Sequence, residues 1–127
     1  MKSLKIITNN PLVVGKYRGI AEYLETGVGD LLVRARDYIH IGARLLNHPL
    51  SGGVVAGISP IKSLIVEIDE KDSSIITDYI SLELIENAIS RLQNTPALST
   101  GYDEITINDF EIVDLDLLDS AMISINK

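Results

Sequence analysis

Apolar residues along this chain fall into short continuous runs and longer helical stripes, and the two patterns predict different elements. Four runs have the length and the β-branched content of buried strands, and they span residues 4–8, 20–24, 43–47 and 62–68. Two stripes, at 29–41 and 78–93, repeat every three or four residues and predict amphipathic helices. The pattern therefore indicates strands that alternate with helices.

Two further segments are less regular. A short helix is expected over 11–18, because Asn10 suits the N-cap and Pro11 suits the first helical position. Residues 104–113 are rich in β-branched side chains and are predicted to be extended, with Asp114 capping a short final helix. No helix separates the third and fourth strands, so we expect those two strands to be antiparallel.

These elements predict an α/β fold in one domain over residues 1–127. The sheet should be mainly parallel or mixed, with four to five strands flanked by helices. The length of 127 residues and a hydrophobic content of 46% suit a single ordinary core.

Composition narrows the class of protein. The chain has no Cys, which excludes disulfides, thiolate metal sites and cysteine nucleophiles. No apolar run reaches the roughly 20 residues of a membrane span, and the first ten residues lack the apolar stretch of a signal peptide. We therefore expect a cytoplasmic protein that does not enter a membrane.

Charge is distributed unevenly along the chain. The net charge of −7 combines a net +4 over residues 1–65 with a net −11 over residues 66–127. The acidic half argues against nucleic acid as a partner, because phosphates repel it. The basic half would favour a small anion, or the two halves simply attract each other.

The first candidate site follows the first strand. The side chains of Thr8, Asn9 and Asn10, with the amides at the start of the helix, would hold a carboxylate or phosphate. Alternatively, Asn10 only caps the helix and Asn9 only forms a turn.

The second candidate site follows the third strand and comprises Asn47, His48, Pro49, Leu50, Ser51, Gly52 and Gly53. The amides of residues 51–53 can form an anion-binding nest, and His48 can act as a hydrogen-bond donor or as a general base. Alternatively, His48 orders its own loop through a backbone hydrogen bond. If the first and third strands are parallel neighbours, both loops emerge at one edge of the sheet, where α/β folds bind ligands.

Established catalytic and metal-binding motifs are not found in the sequence. There is no phosphate-binding loop of the Walker type, no dinucleotide fingerprint and no nucleophile elbow. Two histidines without an acidic cluster make a poor zinc site, and the acids at 109, 111, 114, 116 and 119 lack calcium-loop spacing. We expect no metal and no cofactor, and we interpret this acidic run as a solvated face.

Several strings of the sequence resemble one family, the GrdX family. They are Ile6–Val13, Arg36–Gly42, Leu45–Gly52, Ser59–Ser63 and Asp109–Leu115, with Ser120-Ala121 beyond them. These strings cover nearly the whole chain, and the HPLSG string after RDYIHIG is the most specific of them. Family members are small proteins encoded with the glycine, sarcosine and betaine reductase genes of amino-acid-fermenting anaerobes.

The resemblance implies an accessory role beside a selenium-dependent reductase system, and it names neither a reaction nor catalytic residues. We expect a non-catalytic protein that binds a small anion or a reductase subunit through the two loops, with a homo-oligomer as a further possibility. The alternative is a small hydrolase or isomerase in which His48 is the general base, Ser51 is the nucleophile or a hydrogen-bond donor, and the Gly52 and Gly53 amides are the oxyanion site.

Overall fold

The computed structural model describes residues 2–51, 58–70, 76–94 and 101–126, and within these ranges strands and helices alternate over most of the chain. The elements are β1 (Lys2–Thr8), α1 (Pro11–Lys16), β2 (Ala21–Tyr23), α2 (Val28–His40), β3 (Arg44–Leu45), β4 (Ser63–Asp69), α3 (Tyr79–Gln93) and α4 (Glu104–Ile125). The four predicted strands and the helices α1, α2 and α3 are confirmed, with ends that shift by at most two residues.

The described strands form one sheet in the order β2-β1-β4-β3. β1 pairs with β2 in parallel, whereas β4 pairs antiparallel with both β1 and β3. The fold is therefore α/β with a mixed sheet flanked by helices, as predicted. Since β1 and β3 both run against β4, they share one direction and end at the edge where β4 begins.

Side chains alternate between the two faces of the sheet, and each face has its own core. Ile7, Leu64 and Val66 pack with buried residues of α2 and α3. Ile6 and Ile65, one residue out of phase, pack against α1 and α4. This two-residue period is the expected consequence of strand geometry, and it places helices on both faces.

Local capping and stop signals in the sequence account for the described ends of α1, α2 and α3. Asn10 caps α1 by accepting a hydrogen bond from the Leu12 amide at 3.0 Å. Gly42 ends α2 with a φ of +103°, in the left-handed region that favours glycine. Asp78 caps α3 by accepting from the Ser81 amide.

The predicted extended segment over 104–113 is wrong, because these residues form the first half of α4. Asp103 is the N-cap and accepts from the Thr106 amide at 2.8 Å, and the helix continues for 22 residues. Asp114 therefore lies in the middle of the helix and does not cap it. Even with α4 included, no helix in the described ranges is long and apolar enough to cross a membrane.

Candidate functional site

The two polar runs meet at the edge of the sheet where β1 and β3 end. The described members of the predicted site gather there: Thr8, Asn9, Asn10, Asn47, His48 and Ser51. Gly52 and Gly53 lie outside the described residues. β1 and β3 are not neighbours, because β4 lies between them, and the start of β4 adds Lys62 and Ser63 to the same edge.

The side chain of Asn9 forms hydrogen bonds with backbone groups from other segments of the chain that reach this edge. Its side-chain amide donates to the carbonyls of Thr26 at 2.9 Å and Pro60 at 2.8 Å, and its oxygen accepts from the Lys62 amide at 3.0 Å. Both N–H groups of the Asn9 amide are therefore occupied within the protein. This residue positions Lys62, and direct contact with a ligand stays a prediction.

Asn10 has a similar structural role at α4. Its oxygen caps α1, and its amide donates to the Glu111 carbonyl at 2.8 Å and to Asp114 Oδ2 at 3.0 Å. The capping interpretation of this residue is confirmed. Because both of its N–H groups point to α4, Asn10 ties the end of β1 to the last helix.

Asn47 fixes β3 against β4. Its amide donates to the Ser63 carbonyl at 3.0 Å, and its oxygen accepts from the Ile65 amide at 2.8 Å. One side-chain N–H remains beyond these two bonds, and Asn47 also lines the cavity described below.

Asp114 is the buried carboxylate of this edge, which corrects the expectation that it belongs to a solvated acidic face. It is 7% exposed; its Oδ1 accepts from the Ser63 amide at 3.0 Å, and its Oδ2 accepts from the Ser63 hydroxyl at 2.7 Å. The Ser63 proton is thereby committed, so the Thr8 hydroxyl, 2.7 Å away, is the donor in their bond. A chain of hydrogen bonds therefore runs from the backbone N–H of Asn10 through the hydroxyls of Thr8 and Ser63 to the carboxylate of Asp114.

His48 orders its own loop, as one of the two interpretations expected. Its Nδ1 accepts a hydrogen bond from the Leu50 amide at 3.1 Å, which leaves the ring proton of the neutral imidazole on Nε2. In this tautomer the second ring nitrogen is a donor. The Ser51 hydroxyl donates to the His48 carbonyl at 3.2 Å rather than to the imidazole, so this geometry gives no support to a Ser51–His48 catalytic pair.

Lys62 is the cation of the site, and its side chain is taken almost completely out of water. The residue is 3% exposed, and its Nζ donates to Ser51 Oγ at 2.6 Å. Burial lowers the pKa of the Lys62 ammonium to about 8, while the nearby charge of Asp114 acts in the opposite direction. A buried amine with such a pKa changes protonation close to physiological pH.

These groups surround a cavity of about 320 Å³, near the lower end of the range for small-molecule sites. Its polar wall contains Asn47, His48, Ser51, Lys62, Ser63 and Asp114. Its apolar wall contains Leu46 and residues of α4, namely Leu117, Leu118, Ala121 and Ile125. The cavity therefore suits a small ligand with one polar end and one apolar end.

In the part of the chain that the structure describes, no group of three or more His, Asp or Glu could hold a metal ion. Asp119 accepts from Lys16 Nζ at 2.7 Å and from the Tyr17 hydroxyl at 2.5 Å. Burial, with the bond and the charge of Asp119, raises the pKa of Tyr17 to about 12.

The sequence analysis missed Lys62 and Asp114, although each left a signal. Asp114, Leu118 and Met122 are four residues apart, which places the acid on the buried face of a helix. Lys62 stands between Ile61 and a run of buried strand residues, where a lysine is unusual. Neither signal is decisive without the fold, because the helix itself was not predicted at Asp114.

Comparison with known proteins gives one relationship. A family model described as GrdX-like protein matches residues 5–123, which is nearly the full chain. No curated protein and no solved structure matches the chain. The match confirms the resemblance seen in the polar loops and the C-terminal segment, and the chain belongs to the GrdX-like family.

Proposed function

We propose that this chain is a cytoplasmic accessory protein of a glycine, sarcosine or betaine reductase system, and that it binds a small anion at the edge of its sheet. Membership of the GrdX-like family supports the association with the reductase system. The cavity beside His48, Ser51 and Lys62 supports the binding role.

The observation that carries this proposal is the buried ammonium of Lys62. A lone charge out of water is costly, and an anion beside it removes much of that cost. Among the described residues, Lys62 Nζ makes one hydrogen bond, to Ser51. Asp114, the nearby carboxylate, instead accepts from Ser63 and Asn10. With respect to the described residues, two N–H groups of the ammonium are therefore left for a ligand.

The shape of the cavity indicates how a ligand would lie. A carboxylate or phosphate group would accept from Lys62 Nζ and from Nε2 of His48. A short apolar part would contact Leu117, Leu118 and Ala121 of α4, which also line the cavity. Small amino-acid-derived carboxylates and acyl phosphates have this composition.

Titrations observed by NMR test the binding role. Acetate, inorganic phosphate, glycine, sarcosine and betaine are added separately to the ¹⁵N-labelled chain about one pH unit below the pKa of Lys62, where the ammonium is charged. We expect saturable shifts of the amides of residues 47–51 and 62–63 with at least one of these probes. Lys62→Met should abolish the shifts, whereas Lys2→Met, which removes a largely exposed lysine, should leave them unchanged. Saturable shifts that persist in Lys62→Met would refute the site.

Size-exclusion chromatography with purified reductase subunits tests the accessory role. We expect the chain to co-elute with at least one subunit of a glycine, sarcosine or betaine reductase. Separate elution from every subunit, with and without the bound probe, would contradict an accessory role through stable association.

A further inference from the structure

Ser51 and Lys62 form a contact that anion binding does not require. Lys62 Nζ lies 2.6 Å from Ser51 Oγ, and both side chains line the same cavity. Ser51 follows β3 and Lys62 precedes β4, so the antiparallel pairing of these strands brings the two residues together. In this geometry Lys62 Nζ donates to Ser51 Oγ and the Ser51 hydroxyl donates to the His48 carbonyl, so the hydroxyl turns from that carbonyl to the amine when Lys62 is neutral.

A serine hydroxyl becomes a nucleophile when a base beside it can accept its proton, and a neutral lysine amine is one such base. Lysine serves in this way only where burial makes the neutral form accessible. Burial lowers the pKa of the Lys62 ammonium to about 8, against the usual 10.5, so the neutral amine forms at mildly alkaline pH.

We propose that Ser51 and Lys62 are a nucleophile and general base that transfer the acyl group of a small activated ester or thioester to water. The substrate acyl chain is short, because the cavity has a volume of only about 320 Å³, and Leu117, Leu118 and Ala121 are among the residues that line it.

The two half-reactions balance with water as the only co-reactant. Ser51 Oγ bonds to the acyl carbon as neutral Lys62 takes the hydroxyl proton. The bond to the leaving alcohol or thiol then breaks, and Lys62 returns the proton to that group. Water next adds to the acyl-serine ester and gives its proton to Lys62. Oγ leaves and recovers the proton, which releases the carboxylic acid and restores Ser51.

Two further groups face this pair. Asp114, on α4, raises the pKa of Lys62 through its charge and so limits how much neutral amine is present. His48 lines the cavity with its ring proton on Nε2, from which it would donate to the carbonyl oxygen of the acyl group as that oxygen becomes an oxyanion.

This inference goes beyond the proposed function, and pH separates the two. Anion binding uses the charged ammonium and should weaken as pH rises through about 8. Acylation uses the neutral amine and should accelerate through the same range. If the chain binds anions but Ser51 is never acylated, the acyl-transfer proposal fails. If Ser51 is acylated but no anion binds, the anion-binding proposal fails.

The experiment treats the full chain with p-nitrophenyl acetate, and follows p-nitrophenolate release and the intact mass of the protein. We expect one acetyl group on Ser51, mapped by peptide mass spectrometry, and a rate that rises with a midpoint near pH 8. Ser51→Ala should lose the adduct, and Lys62→Met should slow its formation by about 100-fold or more. Ser120→Ala, which removes an exposed serine of α4 outside the cavity, should behave as the wild type.

Three results would overturn the inference: no acetylation of Ser51, acetylation of Lys62 itself, or an unchanged rate in a folded Lys62→Met variant. If Lys62→Met does not fold, the pH profile of Ser51 acetylation in the wild type decides, and a flat profile between pH 7 and 9 excludes Lys62 as the base.

Discussion

Asp114 is a buried carboxylate whose hydrogen bonds connect three elements at the edge of the sheet. It accepts from the amide and hydroxyl of Ser63 and from the side chain of Asn10, so it connects α4 to β4 and to the end of β1. All three donors are neutral, and hydrogen bonds to a charged acceptor are stronger than those between neutral groups.

Asp114→Asn should lower the free energy of unfolding by about 3 kcal/mol, because the amide group is a donor that faces donors and leaves at least one of them unsatisfied. Urea unfolding at neutral pH measures the effect. Asp116→Asn, on the exposed side of the same helix, is the matched control and should have little effect. Equal losses in the two variants would show that Asp114 is not the buried acceptor.

Lys62 should make the stability of the protein increase with pH. Its pKa is about 8 in the folded chain and near 10.5 in the unfolded chain, so between these values only the unfolded state holds the proton. The cost of burying the charge is fully present below pH 8 and is relieved as pH rises toward 10.5. This relief amounts to at most about 3 kcal/mol.

Urea unfolding of the wild type and Lys62→Met at pH values from 7.5 to 10 measures this effect. The difference in unfolding free energy between the two proteins should shift in favour of the wild type as pH rises. Tyr17, with its pKa raised to about 12, is common to both proteins and cancels. Parallel pH profiles would contradict the buried ammonium.

At the scale of elements, α4 determines the shape of the site. Its first half contains the β-branched residues that predicted an extended segment, yet residues of its second half form the apolar wall of the cavity. A continuous helix is needed to bring Asp114, Leu118 and Met122 onto the sheet along one face. Tertiary burial here outweighs the local preference of the sequence.

Val113 allows a direct test of this helix, because its side chain is 51% exposed and packing contributes little there. Val113→Pro should cost about 3 kcal/mol of unfolding free energy, since proline in a helix interior removes a hydrogen bond and clashes with the preceding turn. Val113→Ala should be neutral or slightly stabilising. Chemical denaturation of both variants measures the difference. A Pro variant as stable as the Ala variant would show that this segment is not helical.

At the scale of the whole molecule, the basic first half and the acidic second half are joined by ion pairs. Among the described residues, the pairs that connect residues 1–65 with residues 66–127 include Lys2–Glu67, Lys16–Asp119, Arg36–Glu86 and Arg44–Glu67. The attraction between the halves therefore has a structural basis. The basic side chains of these pairs are 33–61% exposed, so each pair contributes little.

Raising NaCl from about 0.05 M to about 0.5 M should change the free energy of unfolding by less than about 1 kcal/mol. Salt screens the exposed pairs and the repulsion of the net charge of −7 together, and these effects oppose each other. Urea unfolding at the two salt concentrations provides the measurement. A loss of several kcal/mol would mean that the ion pairs, rather than the two apolar cores, hold the halves together.

The sequence by itself determined the strands, three of the four helices and the polar loops at the strand ends. These depend on local signals: the apolar runs of β1 and β4, the stripe of α2, the cap at Asn10 and the stop at Gly42. Each signal acts within a few residues, so it can be read without knowing the rest of the chain.

Tertiary structure alone decided that β4 lies between β1 and β3, that residues 104–113 are helical and which residues form the site. Lys62 and Asp114 are 52 positions apart in the sequence, and the polar groups around them join loops and strands from distant parts of the chain. Whether an ionisable side chain is solvated or buried depends on what packs over it. Packing of this kind buries Asp114, which the sequence indicated to be solvated, and Lys62, and it places both at the centre of the candidate site.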